Sequence, residues 1–139
     1  MRHPNSIAAR ADALRPFVCS SSHGSLNSDW VHVAGALDIA TSPELERTLR
    51  ESHARLVVLD LRGLGFIDSA GVHTIVNASL SARRDGRRLV LIRGIPNVDR
   101  VFRLTGNADE VEIDDLDPTH RFQRHGAPVL RIAEDALVP

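Results

Sequence analysis

The strongest pattern in the chain is a change of hydrophobic period on either side of one turn. Leu56-Val57-Val58-Leu59-Asp60-Leu61 is a nearly continuous apolar run rich in β-branched residues, which predicts a strand buried on both faces of a sheet. Beyond Phe66-Ile67-Asp68, the positions Val72, Ile75, Val76, Ser79, Leu80 and Arg83 fall at helical spacing, and the stripe stops before Asp85-Gly86. Phe66-Ile67-Asp68-Ser69-Ala70-Gly71-Val72 is therefore the exit of a central strand into a helix. Ser69 stands at that junction.

The flanking segments extend the same alternation of elements. Phe17-Val18-Cys19 opens a first strand, Ser20 to Asn27 supplies turn residues around Gly24, and Trp30 to Ala34 alternates as a second strand, so the pair predicts a hairpin. Gly35-Ala36-Leu37-Asp38 ends that strand. Thr41-Ser42-Pro43-Glu44 combines a hydroxyl cap, an early proline and a first-turn acid, the best-marked helix start in the chain, with Leu45 and Leu49 one turn apart facing the sheet. Arg88-Leu89-Val90-Leu91-Ile92 predicts another buried strand closed by Gly94. A short helix starts at Ile95-Pro96, carries Val98, Val101 and Phe102 on its apolar side and stops at Gly106; Val111-Glu112-Ile113 is a short edge strand. Strands linked by helices predict an α/β domain with parallel pairing and right-handed crossovers.

This domain spans 17–114. Residues 1–16 have too little periodic apolar content for an element and read as a flexible N-terminal lead. Residues 115–139 form a C-terminal extension in which Val129 to Leu137 is a candidate terminal helix. At 139 residues and 42% hydrophobic content the chain supports one core rather than two. No run approaches the roughly 20 apolar residues that cross a bilayer, and no apolar segment follows the N-terminus, so the expected compartment is the cytoplasm, with no membrane partner. One cysteine, Cys19, excludes an intrachain disulfide framework. A net charge of -1 argues against direct nucleic-acid binding, which usually needs a basic stripe. All 17 basic residues are arginine, and this carries no functional weight.

Several chemistries lack their residues. A nucleophile elbow around Ser69 would need glycine where Ile67 stands. Gly63, Gly65 and Gly71 form neither a dinucleotide fingerprint nor a phosphate loop, and the chain contains no lysine to complete one. The histidines at 3, 23, 32, 53, 73, 120 and 125 have no paired metal spacing, so no metal and no cofactor is expected. For Asp68-Ser69 two readings remain open. One is capping, in which a hydroxyl or carboxylate accepts from exposed helix amides; the other makes Ser69 a phosphoacceptor, because phosphate adds about 1.5 to 2 negative charges at a helix start.

Gly35-Ala36-Leu37-Asp38, the strand ending in Asp60-Leu61, Phe66-Ile67-Asp68-Ser69-Ala70-Gly71 and Val101-Phe102-Arg103-Leu104-Thr105-Gly106 together resemble the STAS-domain anti-sigma-factor antagonists of bacteria. The resemblance covers roughly Trp30 to Ile113, and the Asp68-Ser69 motif is its most specific part. It implies a STAS-like α/β fold with a central mixed sheet of about five strands and helices packed mainly on one face. It also implies a non-enzymatic, partner-switching regulator of transcription. By that resemblance an anti-sigma-factor serine kinase would phosphorylate Ser69, a serine phosphatase would reverse this, and the unphosphorylated form would bind the anti-sigma factor. The implied docking residues are Gly35, Asp38, Asp68, Ser69, Ala70, Gly71 and Val72. Ala36 departs from the family's glutamate, and Ala70 leaves Ser69 as the only hydroxyl in its turn.

Two other readings compete. A constitutive scaffold or sensory domain of the same fold would use Ser69 only as a cap. A small enzyme or nucleotide-binding protein would place a ligand at the strand ends.

Overall fold

The computed structural model describes residues 16–105 and 108–115. In chain order these form β1 (Val18–His23), β2 (Ser28–Leu37), α1 (Ser42–Glu51), β3 (Leu56–Ile67), α2 (Ser69–Arg84), β4 (Arg88–Ile92), α3 (Pro96–Leu104), one 3-10 turn (Ala108–Glu110) and β5 (Glu112–Asp114). The five strands lie in one sheet in the order β1-β2-β3-β4-β5. Only β1 and β2 pair antiparallel, as a hairpin allows; the helix-linked strands pair parallel, giving the mixed α/β sheet expected. The predicted lead before residue 16, the Gly106 stop and the candidate helix at Val129–Leu137 lie outside the described residues.

One face of the sheet carries the main core. Val31, Val33 and Leu37 of β2, Val57, Leu59, Leu61, Leu64 and Ile67 of β3, and Leu89 and Leu91 of β4 meet Leu45 and Leu49 of α1, Val72, Ile75, Val76 and Ala82 of α2, and Val98 and Phe102 of α3. All three described helices thus share this face. The stripe on α2 differs slightly from the predicted one: Ala82 is buried, while Leu80 is half-buried and Arg83 exposed. The helix stops where Asp85-Gly86 predicted, with Gly86 at φ +75° and the Arg87 N–H donating to the Ala82 carbonyl at 2.8 Å.

Two strands run further than their patterns indicate. In β3 the apolar residues facing the helices step from Leu61 to Leu64 to Ile67, every third residue instead of every second. Register shifts between His32 and Ala34, and again between Gly35 and Ala36, set three residues of β3 against two of β2 and then two against one. These irregularities hide the strand from a period-2 reading, yet they keep the same face apolar. Gly63 lies at the first of them, where a Cβ would stand 2.7 Å from the Val33 carbonyl oxygen. In β1 the predicted turn residues Ser20 to His23 are strand, paired one by one from Val18↔Ala34 to His23↔Asp29. Ladder hydrogen bonds from β2 hold this polar, exposed edge; the reversal is confined to residues 24–27, with Leu26 and Asn27 at positive φ.

On the second face, Asp60 is the buried polar centre. It accepts from the Arg62 N–H at 3.0 Å, Arg62 Nε at 2.9 Å and Arg62 Nη2 at 2.8 Å, and its other neighbour is His32 Nδ1 at 3.0 Å. Burial alone would push this carboxyl up, but the Arg62 hydrogen bonds and charge outweigh it and hold the carboxyl below its usual range. A depressed folded-state pKa means that the stabilisation is complete above the unfolded value of about 3.9 and is lost as pH falls through the folded value. Asp60→Asn is therefore expected to lower the unfolding free energy at pH 7, and the gap from the parent protein should narrow steadily below about pH 4 in urea titrations.

Candidate functional site

Two turns at the end of the sheet where β2 and β3 finish are tied to each other. After Leu37, Asp38 Oδ1 accepts from the N–H groups of Ala40 at 2.9 Å and Thr41 at 3.1 Å. Thr41 Oγ1 accepts from the Asp38 N–H at 2.9 Å and donates to the Ala36 carbonyl at 2.8 Å, while Ser42 Oγ donates to the Asp38 carbonyl at 2.6 Å. The hydroxyl cap expected on α1 is thus replaced. Thr41 occupies the cap position without a side-chain cap bond, because its hydroxyl is spent closing the loop onto β2.

Asp68 follows β3 directly, and its N–H donates to the Leu37 carbonyl at 3.2 Å. Its Oδ1 accepts from the Gly71 N–H at 3.0 Å, so Asp68 is the N-cap of α2 and Ser69 is the first helical residue. Of the two capping candidates, the carboxylate caps and the hydroxyl does not. Ser69 is exposed, and its hydroxyl makes no hydrogen bond with any described residue. A 16-residue helix behind it directs amides and the positive end of its dipole to this point, which favours an anion there; Asp38 and Asp68 on the two turns oppose it.

Gly71 fixes how close this start comes to the sheet. A Cβ there would lie 2.8 Å from Ile67 Cγ1, 2.9 Å from Leu37 Cγ and 2.9 Å from the Leu37 carbonyl oxygen. No side chain fits. Among the other proposed docking residues, Asp38, Asp68 and Ala70 are half-buried; Gly35, Gly71 and Val72 are buried. Gly35 lies inside β2 at φ +89°, next to a register shift, and Val72 is fully enclosed, so these positions shape the surface without forming it.

Three large apolar side chains, not marked by any local sequence pattern, are exposed on this end of the molecule. Ile39 on the β2–α1 turn is 77% exposed, Phe66 near the end of β3 is 42% exposed, and Ile95 on the β4–α3 turn is 39% exposed. All three belong to the sheet end that carries Ser69. Phe66 was visible as a large apolar residue beside the motif, but Ile39 and Ile95 come from separate turns and no local pattern connects them.

A ligand-site reading finds little here. A concavity of about 390 Å³ lies between α1 and α2, but Val57 and Leu89, the second residues of β3 and β4, line it together with Arg50, Arg84 and Arg87. It therefore opens at the far end from the strand exits, beside the C-termini of both helices. Among the described residues no group of three or more His, Cys, Asp or Glu could hold a metal ion, and no described helix is long and apolar enough to cross a membrane. Burial pushes the Cys19 thiol up despite a hydrogen bond with Thr48, which keeps it protonated and unreactive near neutral pH.

Comparison with known proteins converges on one family. The model of the STAS domain matches residues 28–122. An anti-sigma-B factor antagonist of Staphylococcus aureus is 27% identical over 88 residues, covering 61% of this chain and 82% of that protein. Among solved structures, an anti-sigma factor antagonist from Mycobacterium paratuberculosis superposes with a TM-score of 0.67 at 17% identity, covering 81% of this chain and 96% of that one. The anti-sigma factor antagonist SpoIIAA in its unphosphorylated form gives a TM-score of 0.62 at 16% identity, covering 79% and 97%. Its phosphorylated form gives 0.59 at 15% identity, covering 77% and 98%. At these identities the solved structures establish a shared fold.

The geometry predicts unequal costs for three neighbouring substitutions. Gly71→Ala should lower the unfolding free energy by about 1 to 3 kcal/mol, because backbone and two side chains must move. Asp68→Ala should cost about 1 kcal/mol through the lost cap. Ser69→Ala should stay within about 0.5 kcal/mol. Urea denaturation of the three variants checks the ranking, and a Ser69→Ala cost matching that of Asp68→Ala would refute the assignment of the cap.

Proposed function

The chain belongs to the STAS-domain family, and we propose that it is an anti-sigma-factor antagonist whose partner choice is switched at Ser69. The observation that carries this reading is an exposed serine hydroxyl, free of hydrogen bonds to any described residue, on the first turn of a long helix at a sheet end that also exposes Ile39, Phe66 and Ile95. A residue that must enter a kinase active site has to be accessible. A residue that must change a docked surface has to stand among contact groups. Ser69 meets both demands.

In the unphosphorylated state, Ile39, Phe66 and Ile95 offer the partly exposed apolar groups that anchor protein interfaces, with Asp38 and Asp68 as polar neighbours. The partner is an anti-sigma-factor serine kinase. Phosphate transfer to Ser69 Oγ adds about 1.5 to 2 negative charges. The helix amides tolerate that charge within the fold, but in a closed interface it would be desolvated next to two carboxylates, so the complex dissociates. A serine phosphatase restores the binding form. The chain itself performs no chemistry in this scheme; the kinase supplies the phosphoryl transfer.

The name of the Staphylococcus aureus relative and the two phosphorylation states in which SpoIIAA has been solved support this reading.

Incubation with the cognate anti-sigma kinase and ATP should add one phosphate at Ser69 and weaken the complex by ~10- to 100-fold, about 1.4 to 2.7 kcal/mol. Ser69→Ala should take up no phosphate and remain bound. Phosphate uptake by Ser69→Ala, or unchanged affinity after modification, would refute the switch. Phe66→Ala should weaken the unmodified complex by ~10-fold or more while the far-ultraviolet circular dichroism stays that of the parent.

A further inference from the structure

One titratable side chain on α2 takes no part in holding the fold. His73 stands on the second turn of the helix, exposed, and makes no hydrogen bond or ion pair with any described residue. Its helical neighbours three and four positions away are Ser69, Ala70, Val76 and Asn77, none of them charged. The whole of α2, Ser69–Arg84, contains no aspartate or glutamate. An imidazolium at position 73 therefore finds no anion on its own helix. Phosphate on Ser69 changes that, because residues four apart share one helix face with Cβ atoms roughly 5 to 6 Å from each other.

We propose that His73 is the phosphate partner of modified Ser69, its imidazolium pairing with the phosphoryl oxygens, so that the switch answers to pH as well as to phosphorylation. The inference rests on Ser69 being the phosphoacceptor, as proposed above. The order of the pair is the favourable one, with the acid N-terminal to the base. Phosphoserine and histidine titrate within about one pH unit of each other, close to neutrality. On the acid side of neutrality the imidazolium therefore offsets part of the negative charge that Asp38 and Asp68 oppose. On the alkaline side it does not, and the modified form repels a docked partner more strongly.

The other charged groups around α2 do not replace His73. Asp38 and Asp68 carry the sign that repels phosphate. The helices α1 and α3 start at the same end of the sheet as α2, and their first two turns carry Glu44 and Arg47, and Asp99 and Arg100. Asp99 is already paired, with Arg93 Nη1 at 2.6 Å and Arg103 Nη1 at 3.6 Å. The 3-10 turn bearing Asp109 and Glu110 lies at the other end of α2, where the Glu110 carbonyl accepts from Ser79 Oγ and Arg83 Nη2. Asp60 and Arg62 satisfy each other on the opposite face of the sheet. Arg47 and Arg100 remain as cations, but each belongs to a different helix, whereas His73 is held at a fixed spacing from Ser69 by the helix that both share.

Phosphoserine installed at position 69 of the full chain during translation, through an expanded genetic code, tests the pairing without any kinase. In phosphorus-31 titrations the second ionisation of this phosphate should have a midpoint lower than in the His73→Gln variant by about 0.3 pH unit or more, a change of about two-fold in proton affinity. The difference should shrink in about 0.5 M sodium chloride. Arg47→Gln and Arg100→Gln should leave the midpoint within about 0.1 unit of the parent chain, since neither side chain shares a helix with the phosphate. Equal midpoints in the parent chain and His73→Gln overturn the pairing, as does a shift confined to Arg47→Gln or Arg100→Gln, which makes a neighbouring helix the source of the cation. With the anti-sigma partner, the weakening caused by the phosphate should grow from about pH 6 to about pH 8 by about two-fold more in the parent chain than in His73→Gln, and equal growth in both overturns the link to the switch. Because the phosphate is installed and not transferred, a kinase that leaves Ser69 unmodified overturns the proposed function, whereas equal midpoints overturn the role of His73 alone.

Discussion

The approach of the first turn of α2 to the end of β2 is the constraint on which the rest of this sheet end depends. The missing side chain of Gly71 lets the helix sit against the Leu37 carbonyl, and the Asp68 N–H bonds that same carbonyl. One oxygen therefore ties the exit of β2 to the start of α2. The β2–α1 turn that follows Leu37 is rigid in its own right, because Asp38, Thr41 and Ser42 satisfy one another and the local backbone. Ser69 is consequently presented from a frame with little freedom, although nothing described holds its own hydroxyl.

This arrangement divides labour by depth. Gly35, Gly71 and Val72 lie beneath the surface and determine its shape, while Ser69, Ile39, Phe66 and Ile95 are accessible. The cap matters for the same reason. With Asp68 satisfying the Gly71 amide, the serine can be modified without removing a bond on which α2 relies. A charge added at Ser69 then acts outward, on whatever docks, more than inward on the fold. The carboxylates that would oppose a phosphate in the proposed interface, Asp38 and Asp68, are the residues that shape the two turns.

The two faces of the sheet solve different problems. The helical face is continuous hydrocarbon, and the irregularities between β2 and β3 keep it so by resetting which residues point inward. The second face mixes a small apolar cluster with the Asp60–Arg62 ion pair, which His32 Nδ1 adjoins. The carboxylate is kept charged there because the guanidinium meets it with two nitrogens and a backbone amide adds a third bond. Burial of charge on this scale is tolerated only when each oxygen has a partner.

What local chemistry encodes was determined by the sequence itself. The buried strand at Leu56, the helix from Ser69 to the Asp85-Gly86 stop, the strand Arg88–Ile92 and the placement of Ser69 at a strand exit all follow from periodicity and turn residues within a short window. Tertiary structure decided whatever depends on residues distant in the chain. The length of β3 rests on its pairing with β2, and β1 persists through its serines because β2 bonds it. The choice of Asp68 over Ser69 as cap is a matter of geometry between two adjacent acceptors, which residue type alone leaves open. The burial of Gly35 within β2, and the gathering of Ile39, Phe66 and Ile95 at the end of the sheet that bears the serine, depend on strands and turns far apart in the chain. Sequence marks which residue could carry the switch; packing decides what surrounds it.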